Sequence, residues 1–324
     1  MSVTMLFSLF AALAVAAFAI DIGRAYVVRA ELQNAADAAA LAGAASLLPG
    51  NPNPRWSTAQ ANAASAVGLN SSDGVKLTTA SVQSGFWNLT GSPAGMQPST
   101  ITPGAYDNPA VQVTVARATG LNGGAVPFFF APLFGVKNGP VTASAVSVVS
   151  APGYVGPSGL FPMAISKCIY DQYWDATTGA PKVDSSTGQG FTFQFGNGHT
   201  YGGCDAGQWT SFQTDNNDVP TVRGLISGGN PTGLSLGDSI WIENGIKATI
   251  YDFVPTNADV LMPVVQQVTS STTAIVGFAA FHIDSVNKSS KYVQGHLITG
   301  FKITASTGQS GPYYGAYVPP RLAQ

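Results

Sequence analysis

The residues that most resemble a catalytic nucleophile are Gly233 to Gly237, whose order Gly-Leu-Ser-Leu-Gly matches the G-x-S-x-G pattern of serine hydrolases. In those enzymes the serine lies on a sharp turn between a preceding strand and a following helix, which exposes its hydroxyl group. Here a loop with glycine and proline precedes Ser235, and strand-like residues follow it. We therefore interpret Ser235 as part of a β-turn, and the sequence assigns no catalytic residue.

Cys168 and Cys204 are the only cysteines of the chain, and both lie in its second half. In an oxidising compartment they would form one disulfide that closes a loop of about 36 residues, which stabilises a fold by about 3 to 4 kcal/mol in the chain-entropy model. His199 would supply a third ligand for zinc, but the close Cys-x-x-Cys spacing of structural zinc sites is absent. The sequence thus predicts a disulfide, with a zinc site or two unpaired thiols as alternatives, and it predicts no cofactor.

Two acidic clusters and one further histidine are candidate ligands or catalytic groups. Asp184 to Gly188 begins like the Asp-x-Ser-x-Ser metal loop of von Willebrand-type domains but lacks its final serine. Asp215 to Asp218 carries oxygen ligands suited to calcium, yet their spacing differs from an EF-hand loop, and a helix-initiating turn explains the cluster as well. His282 lies in a strand-like stretch, so we interpret it as a packed or edge histidine.

The chain begins with an uncharged apolar run from Met1 to Ile20. Twenty helical residues cover the roughly 30 Å hydrocarbon core of a bilayer, which predicts a transmembrane segment at residues 1–20. The run continues into an alanine-rich stalk, so we expect one helix from about residue 3 to 48, ended by the prolines from Pro49 to Pro54. Ala17-Phe18-Ala19 leaves a cleaved secretory signal as the alternative.

The stalk is built for close packing, since about half of the residues from Ala25 to Ala45 are alanine. Alanine favours helix, and small side chains let another helix or a sheet approach closely. We predict that the helix packs through Ala35, Ala36, Ala39 and Ala42, against a partner helix or against the protein's own sheet.

The start of the stalk resembles the amino-terminal module of TadE/TadG-like proteins of bacterial tight-adherence (Flp) pilus systems. The resemblance is carried by Asp21, Gly23 and Arg24 and by Leu32 to Ala44, which reads Leu-Gln-Asn-Ala-Ala-Asp-Ala-Ala-Ala-Leu-Ala-Gly-Ala. Val126 to Gly135 and Val141 to Ser147 are also similar, so the resemblance covers about the first 150 residues. It implies a pseudopilin-like assembly component whose partners are the inner membrane and other pilus or secretion-system subunits.

The resemblance also implies a single-pass protein whose bulk is extracytoplasmic. Arg24 and Arg29 directly follow the apolar run and oppose this orientation under the positive-inside rule. Relatives usually carry a basic segment just before the position of Ser2, and with such a segment the amino terminus lies inside.

The rest of the chain is expected to be α+β: a pilin-like antiparallel sheet at residues 21–150, followed by a β-rich sandwich or barrel-like domain at 151–324. A helix is predicted at Trp56 to Leu69, and alternating residues predict strands at 75–86, 111–115 and 141–149. We expect the phenylalanines at 128, 129, 130 and 134 to cover the sheet as core. In the second domain the pattern predicts a helix at 220–226 and a hairpin at 239–251 that turns at Asn244-Gly245.

Composition disfavours nucleic acid as a partner, and the long-helix signature and the large second domain leave two classes of function. Only 9% of residues are charged, against about 25% in an average soluble protein, and the net charge of −2 provides no basic field for nucleic acid. The favoured class is a non-enzymatic structural or assembly component of an envelope filament. The alternative is a membrane-tethered extracytoplasmic binding protein or hydrolase that would contact a small ligand, a surface or a polysaccharide through exposed aromatics such as Trp174, Trp209, Tyr313 and Tyr314.

Overall fold

The computed structural model describes residues 3–47, 54–104, 106–196, 198–243, 245, 248–303 and 310–323. Its helices are α1 Val3–Ala44, α2 Trp56–Val67, α3 Lys167–Tyr173 and α4 Val219–Gly228, with short 3-10 helices at Ala131–Phe134 and Ala248–Phe253. The strands of the first half are β1 Ser81–Asn88, β2 Met96–Gln97, β3 Asp107–Arg117 and β4 Val141–Ser150. Those of the second half are β5 Met163–Ser166, β6 Thr192–Phe195, β7 Gly207–Phe212, β8 Ser239–Glu243, β9 Ala258–Val265, β10 Thr272–Asn287, β11 Tyr292–Leu297, β12 Phe301–Lys302 and β13 Ala316–Leu322. Further two-residue pairings join loops, among them Val126–Pro127 with Asn138–Gly139 and Tyr154–Val155 with Leu234–Ser235.

The long amino-terminal helix and the short helix after it confirm two expectations from the sequence. The first runs from Val3 to Ala44 and the second from Trp56 to Val67, each within a few residues of the predicted ends. The proline-rich stop, at positions 48–53, lies outside the described residues. Within the described part of the chain, no helix combines the length and the hydropathy of a membrane span.

The first sheet has the strand order β12-β13-β4-β3-β1-β2 and is antiparallel except for the β12–β13 pair. Its central strands β3 and β4 are the alternating segments that the sequence predicted. Strand β13 comes from the carboxy terminus and pairs with β4, with Val318 opposite Ser150 and Arg321 opposite Val148. The sheet that packs on α1 is therefore completed by residues 316–322, which lie at the carboxy-terminal end of the predicted second domain.

One face of α1 is buried on this sheet and on α2. Ala35, Ala36 and Ala39 are fully buried there, while Ala42 is half-buried at the margin. The tightest approach is at Gly43, where an added Cβ would lie only 2.9 Å from both the Ala59 carbonyl oxygen and the Ala63 Cβ. Real Cβ atoms do not approach other atoms so closely, so the α1–α2 crossing depends on small residues on both helices. The packing partners of α1 are thus the protein's own sheet and its second helix.

The second sheet has the order β6-β11-β10-β8-β7-β5-β9, and β9 also pairs with the long strand β10. The strands β10, β8, β7, β5 and β9 therefore form a closed ring, which agrees with the expected barrel-like, β-rich region. Neighbouring residues of β5 face two different core clusters: Met163 and Ile165 belong to one, and Ala164 belongs to the other. This alternation shows that both faces of the sheet are covered by apolar residues.

The predicted hairpin at 239–251 is wrong in its second arm. Ser239 to Glu243 forms β8, but residues 248–253 form a 3-10 helix, and Asn244 lies outside the described residues. The second arm is absent because β8 pairs with β7 and β10 instead, while Tyr251 is drawn into the core. The Tyr251 hydroxyl accepts a hydrogen bond from Trp209 Nε1 at 3.1 Å and donates one to the Lys291 carbonyl oxygen at 2.7 Å.

Cys168 and Cys204 form a disulfide that links α3 to a two-residue strand, with 5.5 Å between their Cα atoms. We expect the double variant Cys168→Ala, Cys204→Ala to lose about 3 to 4 kcal/mol of unfolding free energy, because a loop of 36 residues is no longer closed in the unfolded state. Guanidinium unfolding of the variant and of the oxidised native chain measures this difference. Equal midpoints and slopes would contradict the prediction.

Candidate functional site at the base of the long helix

Asp21 is the acidic residue of the Asp-x-Gly-Arg sequence, and it lies on α1 directly after the uncharged run. Its side chain is only 3% exposed. The carboxylate accepts backbone N–H hydrogen bonds from Phe129 at 2.7 Å, Phe130 at 3.0 Å and Ala131 at 2.7 Å. These donors stand at the start of the 3-10 helix Ala131–Phe134, where backbone N–H groups have no partner within the helix. Asp21 therefore caps a helix more than 100 residues away in the sequence.

These contacts stabilise the ionised form of Asp21. Burial removes the carboxylate from water, which alone would raise its pKa. The backbone hydrogen bonds from Phe129, Ala131 and Phe130, together with the nearby positive charge of Arg24, outweigh the burial, so the pKa of Asp21 lies below its ordinary value. The group is therefore ionised at neutral pH, in the form that accepts all three bonds.

Arg24 extends the same connection to a third part of the chain. Its Nη2 atom lies 2.8 Å from Asp73 Oδ2 in the turn after α2, and its guanidinium carbon lies 4.5 Å from the centre of the Phe129 ring. Glu31, two turns further along α1, accepts the backbone N–H of Asp73 at 2.7 Å. The stretch of α1 from Asp21 to Arg24, called here its base, is thus joined to the segment around Phe129 and to the turn after α2. The structure gives no steric reason for a glycine at position 23, since an added Cβ would meet no described atom within 4 Å.

The expectation that the phenylalanines at 128–134 form sheet-covering core is wrong for most of them. Phe129 is 63% exposed, Phe134 is 60% exposed and the neighbouring Leu133 is 81% exposed. The physical reason is the Asp21 cap, because it holds the segment at the base of α1 instead of over the sheet. Phe134 stacks on Phe18 of α1 with 5.4 Å between ring centres, and an apolar cavity of about 200 Å³ lies between the helix and the segment.

The other sequence candidates are accounted for by local structure. Because Cys168 and Cys204 are joined to each other, they offer no thiolates for zinc beside His199. Ser235 lies in a two-residue strand, its N–H bonds to Asp238 Oδ2 at 2.8 Å, and β8 follows directly, as a turn interpretation requires. The sharp strand-to-helix turn of a hydrolase nucleophile is not formed at this position.

The acidic clusters also have structural partners. Asp218 caps α4 by accepting the N–H of Thr221 at 2.8 Å, which confirms the helix-initiating interpretation of residues 215–218. Asp184 accepts both the N–H and the hydroxyl of Ser186 within a tight turn. Among the described residues, no three His, Cys, Asp or Glu side chains are arranged to hold a metal ion.

Sequence reasoning missed one group of polar residues on the second sheet. His282 on β10 and His296 on β11 are opposite each other, with 5.1 Å between ring centres. His282 Nδ1 lies 2.6 Å from Asp259 Oδ1, and His296 Nδ1 lies 3.1 Å from Asp284 Oδ1. Spacing along the chain could not reveal this arrangement, because it depends on the register of three strands.

The fold defines an α+β protein whose long amino-terminal helix lies along an antiparallel sheet and is fixed at its base by a buried aspartate. Family models identify the class more closely: residues 1–46 match the Flp pilus-assembly TadE/G-like family (Tad), and residues 42–147 match the Tad-like Flp pilus-assembly family (Tad_C). Residues 1–147 therefore match TadE/TadG-like pilus-assembly proteins, as the resemblance of the Asp21 region indicated. Searches of curated proteins and of solved structures gave no significant match.

We expect Asp21→Asn to loosen the segment that Asp21 caps, because an amide replaces one acceptor oxygen by a donor facing backbone N–H groups. The matched control is Asp37→Asn on the same helix, whose native carboxylate accepts a side-chain bond from Gln33. Hydrogen exchange at the amides of residues 129–131 should become faster in the first variant and stay unchanged in the second. Unchanged exchange in both would show that the cap does not hold the segment.

The same contact has a defined pH dependence. A carboxylate with a lowered folded pKa stabilises fully above its unfolded pKa of about 3.9, and the contribution is lost as the pH falls through the folded value. The difference in exchange between the native chain and Asp21→Asn, corrected for intrinsic rates, should therefore be constant near neutral pH and shrink in acid below about 3.9. A difference that shrinks on the alkaline side would contradict this assignment.

Proposed function

We propose that this chain is a membrane-anchored, pseudopilin-like structural or assembly component of a tight-adherence pilus, acting through protein–protein contacts. The family assignment supports a pilus-associated role. The single observation that carries the pseudopilin-like role is the difference between the two faces of α1. Its inner face is buried in its own protein, and its outer face is exposed.

The outer face of α1 is suited to packing against another helix. Exposed residues recur there at Tyr26, Ala30, Asn34 and Ala38, four positions apart, opposite the buried alanines. Side chains along this line are uncharged and become small toward its upper end, which allows close helix–helix approach. Because the inner face is already occupied, the outer line is the part of α1 that other pilus subunits would contact.

Anchoring and an extracytoplasmic location are supported by sequence and by redox chemistry. Residues 1–20 carry no charge, and α1 continues from this run into the packed stalk as one helix of 42 residues. A disulfide persists in oxidising compartments, which favours a location outside the cytoplasm. We infer a single pass through the inner membrane with the bulk of the chain outside.

The alternative of a tethered binding protein or hydrolase loses its sequence support. Three of the four aromatics expected at a binding surface are core residues, since Trp174, Trp209 and Tyr313 are at most 9% exposed, and Tyr314 is half-buried. The Tyr170 ring contacts the rings of Trp174 and Tyr314, and Trp174 also contacts Tyr313. Trp209 packs instead against Phe161 and Tyr251. These aromatics are therefore part of the packing inside the second region.

A pair of neighbouring alanines tests the role of α1. We expect Ala38→Glu, on the exposed line, to change unfolding free energy by no more than about 0.5 kcal/mol and to block filament formation. Ala39→Leu, on the buried face, should overfill the core and cost about 1 to 3 kcal/mol. Ser235→Ala should leave filaments and surface attachment unchanged.

The readouts are denaturant unfolding of each purified variant, then filament counts and attachment at equal protein level in cells. Normal filaments with Ala38→Glu would contradict contact through the outer face. Loss of attachment with Ser235→Ala, when filaments and stability are intact, would replace the structural proposal by the enzymatic one.

Membrane placement has a separate test. A reporter that is active only outside the cytoplasm, fused after the carboxy terminus, should be active, and the fusion should fractionate with the inner membrane. The matched fusion to a reporter that works only in the cytoplasm should be silent. The reverse pair of results would overturn the topology while leaving the family assignment intact.

A further inference from the structure

We propose that the segment from Val126 to Lys137, called here the aromatic segment, inserts its exposed side chains into the lipid headgroup boundary of the membrane that holds α1. The protein would then meet the bilayer at two points, the helix and this segment. The inference rests on the proposed anchoring of α1.

Large apolar side chains crowd the outer surface of the aromatic segment. Phe129, Phe130, Leu133, Phe134 and Val136 are 63%, 36%, 81%, 60% and 51% exposed, respectively. Single exposed apolar residues are ordinary, but a contiguous group of this kind marks a surface that is covered in the working protein. The core of the first region is closed without them, because none belongs to its buried cluster.

The position of the aromatic segment along α1 selects the membrane as its occupant. Phe134 stacks on Phe18, which belongs to the uncharged run, while Asp21 holds the segment's backbone about 4.5 Å further along the helix axis. The exposed group therefore lies at the level where the uncharged run ends. When residues 1–20 span a bilayer, this level is the headgroup boundary, where interfacial apolar side chains enter about 5–10 Å.

The backbone of the aromatic segment is prepared for such an environment. An N–H group without a partner is costly near hydrocarbon, where water cannot satisfy it. Asp21 accepts three of these groups, and carbonyl oxygens within the segment accept those of Phe128, Leu133, Gly135 and Val136. Pro127 and Pro132 have no N–H to satisfy. The buried carboxylate thus removes the main obstacle to placing this loop against lipid.

The charges around the aromatic segment suit a phospholipid surface. Residues 126–137 contain no acidic side chain, and Lys137 at the end of the segment is exposed. Arg24 lies over Phe129 but is already paired with Asp73, so Lys137 is the cation that would meet phosphate groups. Aromatic rings flanked by basic side chains are typical of interfacial membrane contacts, in which the rings enter the boundary and the cations meet phosphate groups.

The test uses the full chain reconstituted in vesicles of phosphatidylethanolamine and phosphatidylglycerol, with a nitroxide label at Leu133→Cys. Both native cysteines are bonded to each other, so the added thiol takes the label. Val183→Cys, also an exposed apolar position at 62%, is the matched control in the second region, and Val136→Cys is a second site in the segment. Flotation reports anchoring, and collision of the label with oxygen or with a polar nickel chelate reports depth.

We expect the labelled chain to float with the vesicles, with oxygen collisions exceeding chelate collisions at 133 and 136 and the reverse ratio at 183. Adding Asp21→Asn to the 133 variant should make that label accessible to the nickel chelate, while the chain still floats with the vesicles. Flotation with a chelate-accessible label at both segment sites would overturn the membrane contact and leave the anchor standing. Absence of flotation would overturn both proposals. Labels shielded from both reagents, with spin–spin broadening that rises with protein concentration, would instead assign the segment to contact with a second copy.

Discussion

The hydrogen bonds from three backbone N–H groups to the Asp21 carboxylate fix the base of α1, and the surrounding arrangement depends on them. A buried charge is costly unless it is fully hydrogen-bonded, and here the cost is offset by donors that themselves lacked partners. The contact joins two parts of the chain that are remote in sequence, so it sets where the aromatic residues stand along α1. Arg24 adds an ion pair to the turn after α2. Together the two side chains fix the position of α1 along its axis, and its rotation about that axis, relative to these two loops.

The rest of α1 is held by shape. Alanines on its inner face and Gly43 at the α2 crossing permit an approach that larger residues would prevent. Such an interface gains stability from many short-range contacts, and α1 cannot rotate about its axis without placing exposed residues such as Asn34 against the sheet. The polar contact at the base and the close packing above it therefore specify the same position of the helix.

The sequence predicted those features that arise from local pattern. Helix α1, helix α2, the central strands β3 and β4, the Asp218 cap and the Cys168–Cys204 pair each follow from periodicity, capping chemistry or composition. Features that depend on contacts between distant segments were missed. The placement of the 128–134 phenylalanines depends on Asp21, the second arm of the hairpin is replaced because β8 pairs elsewhere, and the His282–His296 pair arises from strand register. The Asp-x-Gly-Arg sequence carries the family resemblance, but the role of Asp21 follows only from the loop that it caps.

The carboxy-terminal strand links the two regions mechanically. Chain connections after Ser150 and before β13 both end on the first sheet, and β13 is hydrogen-bonded along β4, the strand that lies directly on α1. Arg321 and Ala323 continue this pairing through their backbones to Ser147 and Val146. A load applied to the barrel-like region would therefore pass through antiparallel strands to the sheet and then to the closely packed face of α1. Because that face is closely packed and Asp21 fixes its base, α1 and the first sheet form one packed unit, and β13 attaches the distal region to it.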